Sequence, residues 1–311
     1  MNNTQIAIVA TVKAPLQELS YFVDYHLDLV NQIWLFFDDP LDETTNQLTE
    51  VTGLTTVICD SAYWAELGGR PDIIEKRQEL NATQALSFSK SMSIDWLIHI
   101  DSDELLYGSC SQLKKVLHES SADIVRFGIR EAIVDRLHYS CLFQPVWFKK
   151  PSSQQKIKLA KIIGCRHAVY QNEFFRGHLA SKIATRVNGA VIEMGIHGPR
   201  CCIATPKEQH TDDILLLHYD CVGFDAWYLK WKQRVDGVAT ASRMRENRQN
   251  QLQAFIKALT LGKLDLERLY VSMYVLSWYE KLMLWMLGMA QVIHVEKRCN
   301  AESIPLLIKE E

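Results

Sequence analysis

The chain has 311 residues, 48% of them hydrophobic, with 34 basic and 37 acidic residues and a formal charge of −3. This suits one large domain, or a domain with an appendage, and lacks the basic surplus that marks a nucleic-acid binder. The eight cysteines include no Cys-x-x-Cys pair, which argues against structural zinc; reduced thiols are expected. No basic segment followed by a long apolar one opens the chain, so no secretory signal is expected.

Ile6–Val12 is an apolar, β-branched run that Lys13-Ala14-Pro15 ends, which predicts a buried strand. Leu19, Phe22, Val23, His26 and Val30 recur at helical spacing. Ile33–Phe37 predicts a second strand, closed by Asp38-Asp39-Pro40; a short helix over Thr44–Val51 and a third strand over Thr55–Cys59 come next. This alternation predicts a doubly wound α/β sheet. Ile73–Ser91 reads as a long helix, Trp96–Ile100 as the fourth strand, and Ser111–Glu119 as a helix. Strands are expected over Asp123–Ile133, Lys182–Val187 and Ile214–Tyr219, and the pattern after Phe224 is helical. Leu269–Ile293 is the most apolar stretch, but Glu280 and Lys281 interrupt it. What remains is shorter than the roughly 20 residues of a spanning helix. Core packing, a homodimer through the C-terminal helices and peripheral membrane contact are its three readings.

In an open α/β sheet, ligands bind beyond the carboxyl ends of the strands. The second, third and fourth strands end in Asp38-Asp39, Asp60 and Asp101-Ser102-Asp103-Glu104. Carboxylates gathered there repel unless a cation balances them. A hard divalent ion, Mn²⁺ or Mg²⁺, binds oxygen ligands alongside substrate phosphates. Asp101 and Asp103 are therefore candidates for metal or nucleotide binding, against a solvated turn or helix cap. Alternation along an extended segment lets both point one way, leaving Glu104 to support them or to cap the next segment.

The strings Ile33–Thr44, Arg77-Gln78 and Trp96–Leu106, with His26 in the first helix, resemble the bacterial family 2-like glycosyltransferases and are similar to the family 92 group. The resemblance covers roughly residues 5–235, leaving 236–311 as a C-terminal helical region. It implies the GT-A fold, a Rossmann-like mixed sheet, and transfer of a sugar from a nucleotide diphosphate, a UDP-sugar by expectation. It implies that Asp103 chelates the metal bridging the two phosphates, that Asp101 meets the ribose or the metal's water shell, that Asp38 or Asp39 sits near the base or ribose, and that Arg77 reaches a phosphate. A late histidine, His218 or His197, would complete the metal site. Two departures stand out: Lys13-Ala14-Pro15 replaces the family's Lys-Asn-Glu, and Asn31-Gln32 replaces its glycine-containing turn.

Lys182 and Arg186, four apart on one strand, share a face and could neutralise the leaving diphosphate. An inverting enzyme also needs a carboxylate base, for which Glu104, Glu193, Asp212 and Asp213 are candidates. The basic stretch Lys230, Lys232, Arg234, Arg243, Arg245 and Arg248, interleaved with Trp227, Tyr228 and Trp231, could meet the phosphates of a lipid-linked glycan acceptor, with a solvated helix face as the plainer reading. The expectation is a cytoplasmic enzyme of surface polysaccharide synthesis, peripheral to the inner membrane if it touches one. The competing readings are a nucleotidyltransferase, which would need a Gly-rich loop after the first strand, and a non-catalytic nucleotide-sugar or glycan binding module.

Overall fold

The computed structural model describes residues 4–41, 47–48, 51–170, 173–177, 179–237 and 246–295. The expected Thr44–Val51 helix lies largely outside them. The chain forms two compact units. The first takes in the described residues up to Gly128 together with Ala180–Leu216; the second takes in Ile129–Leu179 and the described residues from Leu217 onward.

Unit 1 is built on four parallel strands, β1 (Ile6–Val12), β2 (Gln32–Phe37), β3 (Leu54–Ile58) and β4 (Trp96–His99), in the order β3-β2-β1-β4. Nearly every residue of β1, β2 and β4 is buried, as continuous apolar runs require when helices cover both faces of a parallel sheet. Helices α1 (Leu16–Leu27), α2 (Ser61–Glu66), α3 (Ile74–Ser91) and α4 (Cys110–Glu119) connect or follow these strands. The sheet then turns antiparallel: β8 (Ile183–Arg186) pairs with β4, and the start of β6 (Ile124–Ala132) pairs with β8. In the same sheet β11 (Glu208–His218) pairs with β6 and with β5 (Glu104–Tyr107), and β9 (Val191–Met194) and β10 (Pro199–Cys202) form a separate two-stranded hairpin. The mixed α/β sheet expected from the sequence is therefore present. One boundary differs: β11 starts at Glu208, so Asp212 and Asp213 lie within a strand and not in a loop before it. Asp212 packs over Gly128, where a Cβ would come within 2.0 Å of its Oδ1.

Unit 2 pairs β7 (Trp147–Lys149) with the end of β6 and with β12 (Ala290–Val292), a strand that the helical pattern after Phe224 did not foretell. Helices α5 (Gln154–Ile162), α6 (Phe224–Val235), α7 (Glu246–Leu261), α8 (Lys263–Tyr274) and α9 (Trp278–Met286) complete it. The boundary expected at residue 235 is the end of α6, inside this unit. Trp227, Phe255 and Tyr270 join α6, α7 and α8 through ring contacts of 5.2 to 5.4 Å. Cys59, Cys110, Cys165, Cys201, Cys202 and Cys221 are free thiols; Cys141 is disulfide-bonded, against the expectation of reduced thiols throughout.

His26 ties α1 to β5. Its ring is fully buried; Nδ1 lies 2.8 Å from the Phe22 carbonyl, and Nε2 accepts the Leu106 N–H at 3.2 Å. A carbonyl on one nitrogen and an N–H on the other require the neutral Nδ1–H tautomer. Burial accordingly pushes the ring down to about 3, against the helix carbonyl that favours the charged form. A depressed folded value means that the unfolded chain binds the proton first, so the contribution of His26 is complete above about pH 6.5 and is lost as pH falls towards 3. His26→Asn is expected to cost about 1–3 kcal/mol through the disturbed buried hydrogen bonds. It should also flatten the fall of stability between pH 6 and 4 in urea titrations; an unchanged slope would show that the ring is not held neutral.

Candidate functional site

The four parallel strands end together, and their carboxyl ends carry the polar residues that the sequence singled out. Between β4 and β5 the chain makes a tight turn through Asp101, Ser102 and Asp103. Glu104, buried at the start of β5, folds back so that its Oε2 accepts the Asp101 N–H at 2.8 Å. Glu104 therefore caps the turn, which takes it out of the set of exposed bases.

Lys182 enters this turn from β8. It is fully buried, with Nζ 2.9 Å from Asp101 Oδ2 and 3.8 Å from Glu104 Oε2. Burial alone would lower the ammonium, but the two carboxylates hold it above its ordinary value. The other oxygen of Asp101 accepts the Gln78 amide at 3.0 Å. Asp101 is thus gripped on both oxygens, whereas Asp103 is half-buried at the apex of the turn. Behind the turn, His99 is buried with Nδ1 3.2 Å from the Gly195 carbonyl; burial and the Lys182 charge push its ring down to about 4.

Glu18, on the first turn of α1, was missed by sequence reasoning. Its carboxyl is raised to about 7, first by burial and then by the charge of Asp103. Its only sequence signal is position, three residues beyond the Pro15 that ends the first strand's loop. Acids cluster here beside a buried lysine, and two of them repel one another, an arrangement that a hard cation with oxygen preference would relieve.

At the neighbouring end of β2, Asp38 is buried under two arginines. Arg77 Nε meets Oδ1 at 2.7 Å and its Nη2 meets Oδ2 at 3.0 Å, while Arg70 reaches Oδ2 at 3.2 Å. Arg77 also donates to the Pro71 and Asp72 carbonyls. Arg77, expected to reach a phosphate, has its buried guanidinium on Asp38 and the loop carbonyls. Arg70, which the sequence did not single out, is the half-exposed cation of this group. Asp39 instead faces outward and pairs with Lys13 at 3.0 Å. Thr11, Tyr63 and Asn81 complete the polar lining, with the Asn81 amide on the Thr11 hydroxyl at 2.9 Å and Tyr63 on Asn81 at 2.7 Å.

Arg186 lies away from the acid turn. β8 runs antiparallel to β4, with Ala184 opposite Ile98 and Arg186 opposite Trp96. Four residues at about 3.3 Å each therefore separate Lys182 from Arg186 along the strand. They share a face but occupy opposite ends of the sheet. Arg186 lies over the Trp96 ring at 4.3 Å and donates to the Ser120 and Ala122 carbonyls. Glu193 stands on the β9–β10 hairpin, 3.8 Å from Arg200, and Asp212 and Asp213 are exposed on β11. His197 offers its carbonyl to Arg126.

His218 belongs to unit 2, where a ring nitrogen lies within 4.8 Å of an Asp220 carboxylate oxygen. Its ring packs so close to Gly177 that a Cβ there would approach Cε1 to 2.5 Å. Asp220 is buried between Lys230 at 2.7 Å and Arg248 at 3.1 Å. Burial opposes its ionisation, but those cations and His218 hold it well below the usual carboxylate range. Lys230 and Arg248 thus neutralise a buried aspartate, and Trp227 and Trp231 are core, so these four do not form an open face for phosphates. Arg243 and Arg245 lie outside the described residues.

No family model matches the chain. It is similar to two glycosyltransferase-like proteins of Arabidopsis thaliana, at 27% and 25% identity over 149 residues, 46% of this chain. The chain spans about a third of the length of these curated relatives, 29% and 33%. Among solved structures, 4-diphosphocytidyl-2C-methyl-D-erythritol synthase of Anaerococcus prevotii aligns at TM-score 0.31 and 11% identity over 59% of this chain and 70% of that one. HddC of Yersinia pseudotuberculosis aligns at TM-score 0.34 and 9% identity over 70% of this chain and 93% of that one. These two alignments are too distant to bear on function.

Removing the Lys182 charge leaves Asp101 and Glu104 without the buried cation between them. Lys182→Met is expected to cost about 3–5 kcal/mol, and adding Asp101→Asn should recover part of that loss. Equilibrium urea unfolding of the single and double variants reads both; additive losses would show that the pair does not interact.

Proposed function

We propose that this chain is a glycosyltransferase that moves a sugar from a nucleotide diphosphate donor, a uridine one by preference, to a glycan acceptor, with Mn²⁺ or Mg²⁺ at Asp103. The observation that carries the reading is the acid turn at the carboxyl end of β4, with Asp101 and Glu104 fixed by Lys182 and Asp103 at the apex facing Glu18. The glycosyltransferase-like relatives support the same class. The oxygen donors suit a hard divalent cation. Such an ion would supply charge stabilisation to the departing diphosphate.

The chain's own residues would do the rest. Lys182 and Gln78 hold Asp101, and with it the turn, in place. Arg77 fixes Asp38, and Arg70 presents its guanidinium at the end of β2, where an anionic nucleotide would meet it. Asp39 beside Lys13 is the outward acid in reach of a base or ribose. In an inverting transfer, acceptor deprotonation would fall to a carboxylate, for which Glu193, Asp212, Asp213 and now Glu18 are the candidates. His218 remains a proposed cation ligand in its own right, tested by whether His218→Ala weakens Mn²⁺ binding.

A nucleotidyltransferase is disfavoured because Lys13-Ala14-Pro15 runs straight into α1 without a Gly-rich loop. The test is calorimetric titration of uridine, guanosine and cytidine diphosphates with Mn²⁺ and Mg²⁺, followed by donor turnover. Asp103→Ala should lower turnover by about 100-fold or more, the scale of a lost electrostatic contact in the transition state, with no loss of melting temperature. Undiminished turnover overturns the metal assignment. Nucleotide binding without transfer or hydrolysis would mark a binding module instead.

A further inference from the structure

Helix α9 of unit 2 is arranged against the usual rule for a surface helix. Its one acid, Glu280, is buried, while Trp278 (74% exposed), Leu282, Trp285 (55%) and Met286 (66%) face outward. Their spacing of i, i+4, i+7 and i+8 makes them one stripe. Helix α5 lies alongside and antiparallel: Lys156 Nζ donates to the Leu287 carbonyl at 2.8 Å, and the Tyr279 hydroxyl donates to the Ile163 carbonyl at 2.9 Å. Ile157, Ala160 and Leu284 belong to one buried core on which both helices pack. The face of α5 turned away from that core repeats the pattern, with Ile162 (81% exposed) and Leu159 set among Lys158 and Lys161, and Arg166 just beyond.

The α9 lysine, Lys281, is paired with Asp135 at 2.7 Å, but the rest of the charge is basic. From Arg136 to Asn172 the sequence contains no Asp or Glu. The acid of α9 is turned inward, where it accepts the His167 N–H at 2.8 Å and the Ser277 N–H at 3.0 Å. Exposed indoles, a methionine and branched aliphatics beside lysines are the composition of a segment that rests in the headgroup region of an anionic bilayer, with lysine stems lying along the apolar surface and ammonium groups on the phosphates. No described helix is long and apolar enough to cross a membrane, so the contact would be peripheral.

We infer that the α5–α9 face of unit 2 docks on an anionic lipid surface. The inference is independent of the transfer reaction, because it uses none of the residues at the Asp101–Glu104 turn. The test uses the full chain with vesicles of phosphatidylcholine, with and without phosphatidylglycerol. Sedimentation should show binding to the anionic vesicles only, lost at high salt as screened charges require. Lys158→Glu with Lys161→Glu should weaken partitioning by at least about tenfold, and Trp278→Ser with Trp285→Ser should do likewise. Five of the eight tryptophans are almost wholly buried and Trp147 is partly so, so quenching by brominated lipid should report Trp278 and Trp285 and vanish in the double tryptophan variant. Far-ultraviolet dichroism identical to the parent confirms that the variants are folded. Equal binding to neutral and anionic vesicles, binding unaffected by either double variant, or no binding at all overturns the inference. A dimer that depends on Trp278 and Trp285 in light scattering, without lipid partitioning, would overturn it in favour of self-association.

Discussion

A carboxylate taken out of water must find hydrogen-bond donors, and backbone N–H groups are the donors that cannot move away. Glu104 takes the Asp101 N–H, Glu131 takes those of Arg176 and Gly177 at 3.0 and 2.7 Å, and Glu280 takes those of His167 and Ser277. Each of these buried acids ties a turn or loop to a regular element. At the β4–β5 turn the consequence is chemical. Once Glu104 holds the backbone and Lys182 holds Asp101, the position of Asp103 is set by structure that its own side chain does not have to supply.

Much of unit 1 was legible. Short apolar, β-branched runs such as Ile6–Val12 suit strands buried on both faces, and the acids that end them collect at one edge once the strands run parallel. What the sequence left out was which charges meet. Arg77 and Arg186 look like free cations in a string of letters, yet one is spent on Asp38 and the other lies over Trp96 at the far end of the sheet. A spacing of four gives a shared face, but only the antiparallel pairing of β8 with β4 says which residue is level with the aspartates. Glu18 was invisible for a similar reason: its nearness to Asp103 arises from the docking of α1, which His26 fixes by hydrogen bonds that no periodicity reveals.

Unit 2 was less legible because buried ions, beside its apolar core, help to organise it. Lys230 and Arg248 read as members of a basic surface stretch, but Asp220 draws both inward. Lys149 is likewise turned onto Glu131 at 3.0 Å and the Phe174 carbonyl at 2.7 Å. Burial is worthwhile for these groups only because every charge is met at close range; removing one partner would strand the other at a cost of several kcal/mol. A charge run is therefore ambiguous until the fold shows which members have a buried counter-ion. The pattern was also silent on β12, whose three residues come after an apolar helix without a change of composition.

The inward turn of Glu280 explains why α9 shows its indoles to the outside. Ser277 and Glu280 form a reciprocal cap, the serine hydroxyl accepting the Glu280 N–H while the carboxylate accepts the Ser277 N–H. The same carboxylate accepts from the backbone of His167. These bonds fix the rotation of the helix about its axis. With Glu280 and Leu284 facing the core, the 100° step of an α-helix leaves Trp278, Leu282 and Trp285 no inward position. Rotating the helix to bury the indoles would expose Leu284, break the cap and strand the N–H of His167. Because each aromatic side chain carries 150–250 Å² of surface, leaving two of them outside forgoes several kcal/mol of burial at about 25 cal/mol/Å². A rotation that forgoes that much is locked in by the cap, and the surface it exposes is the surface that a bilayer interface would cover.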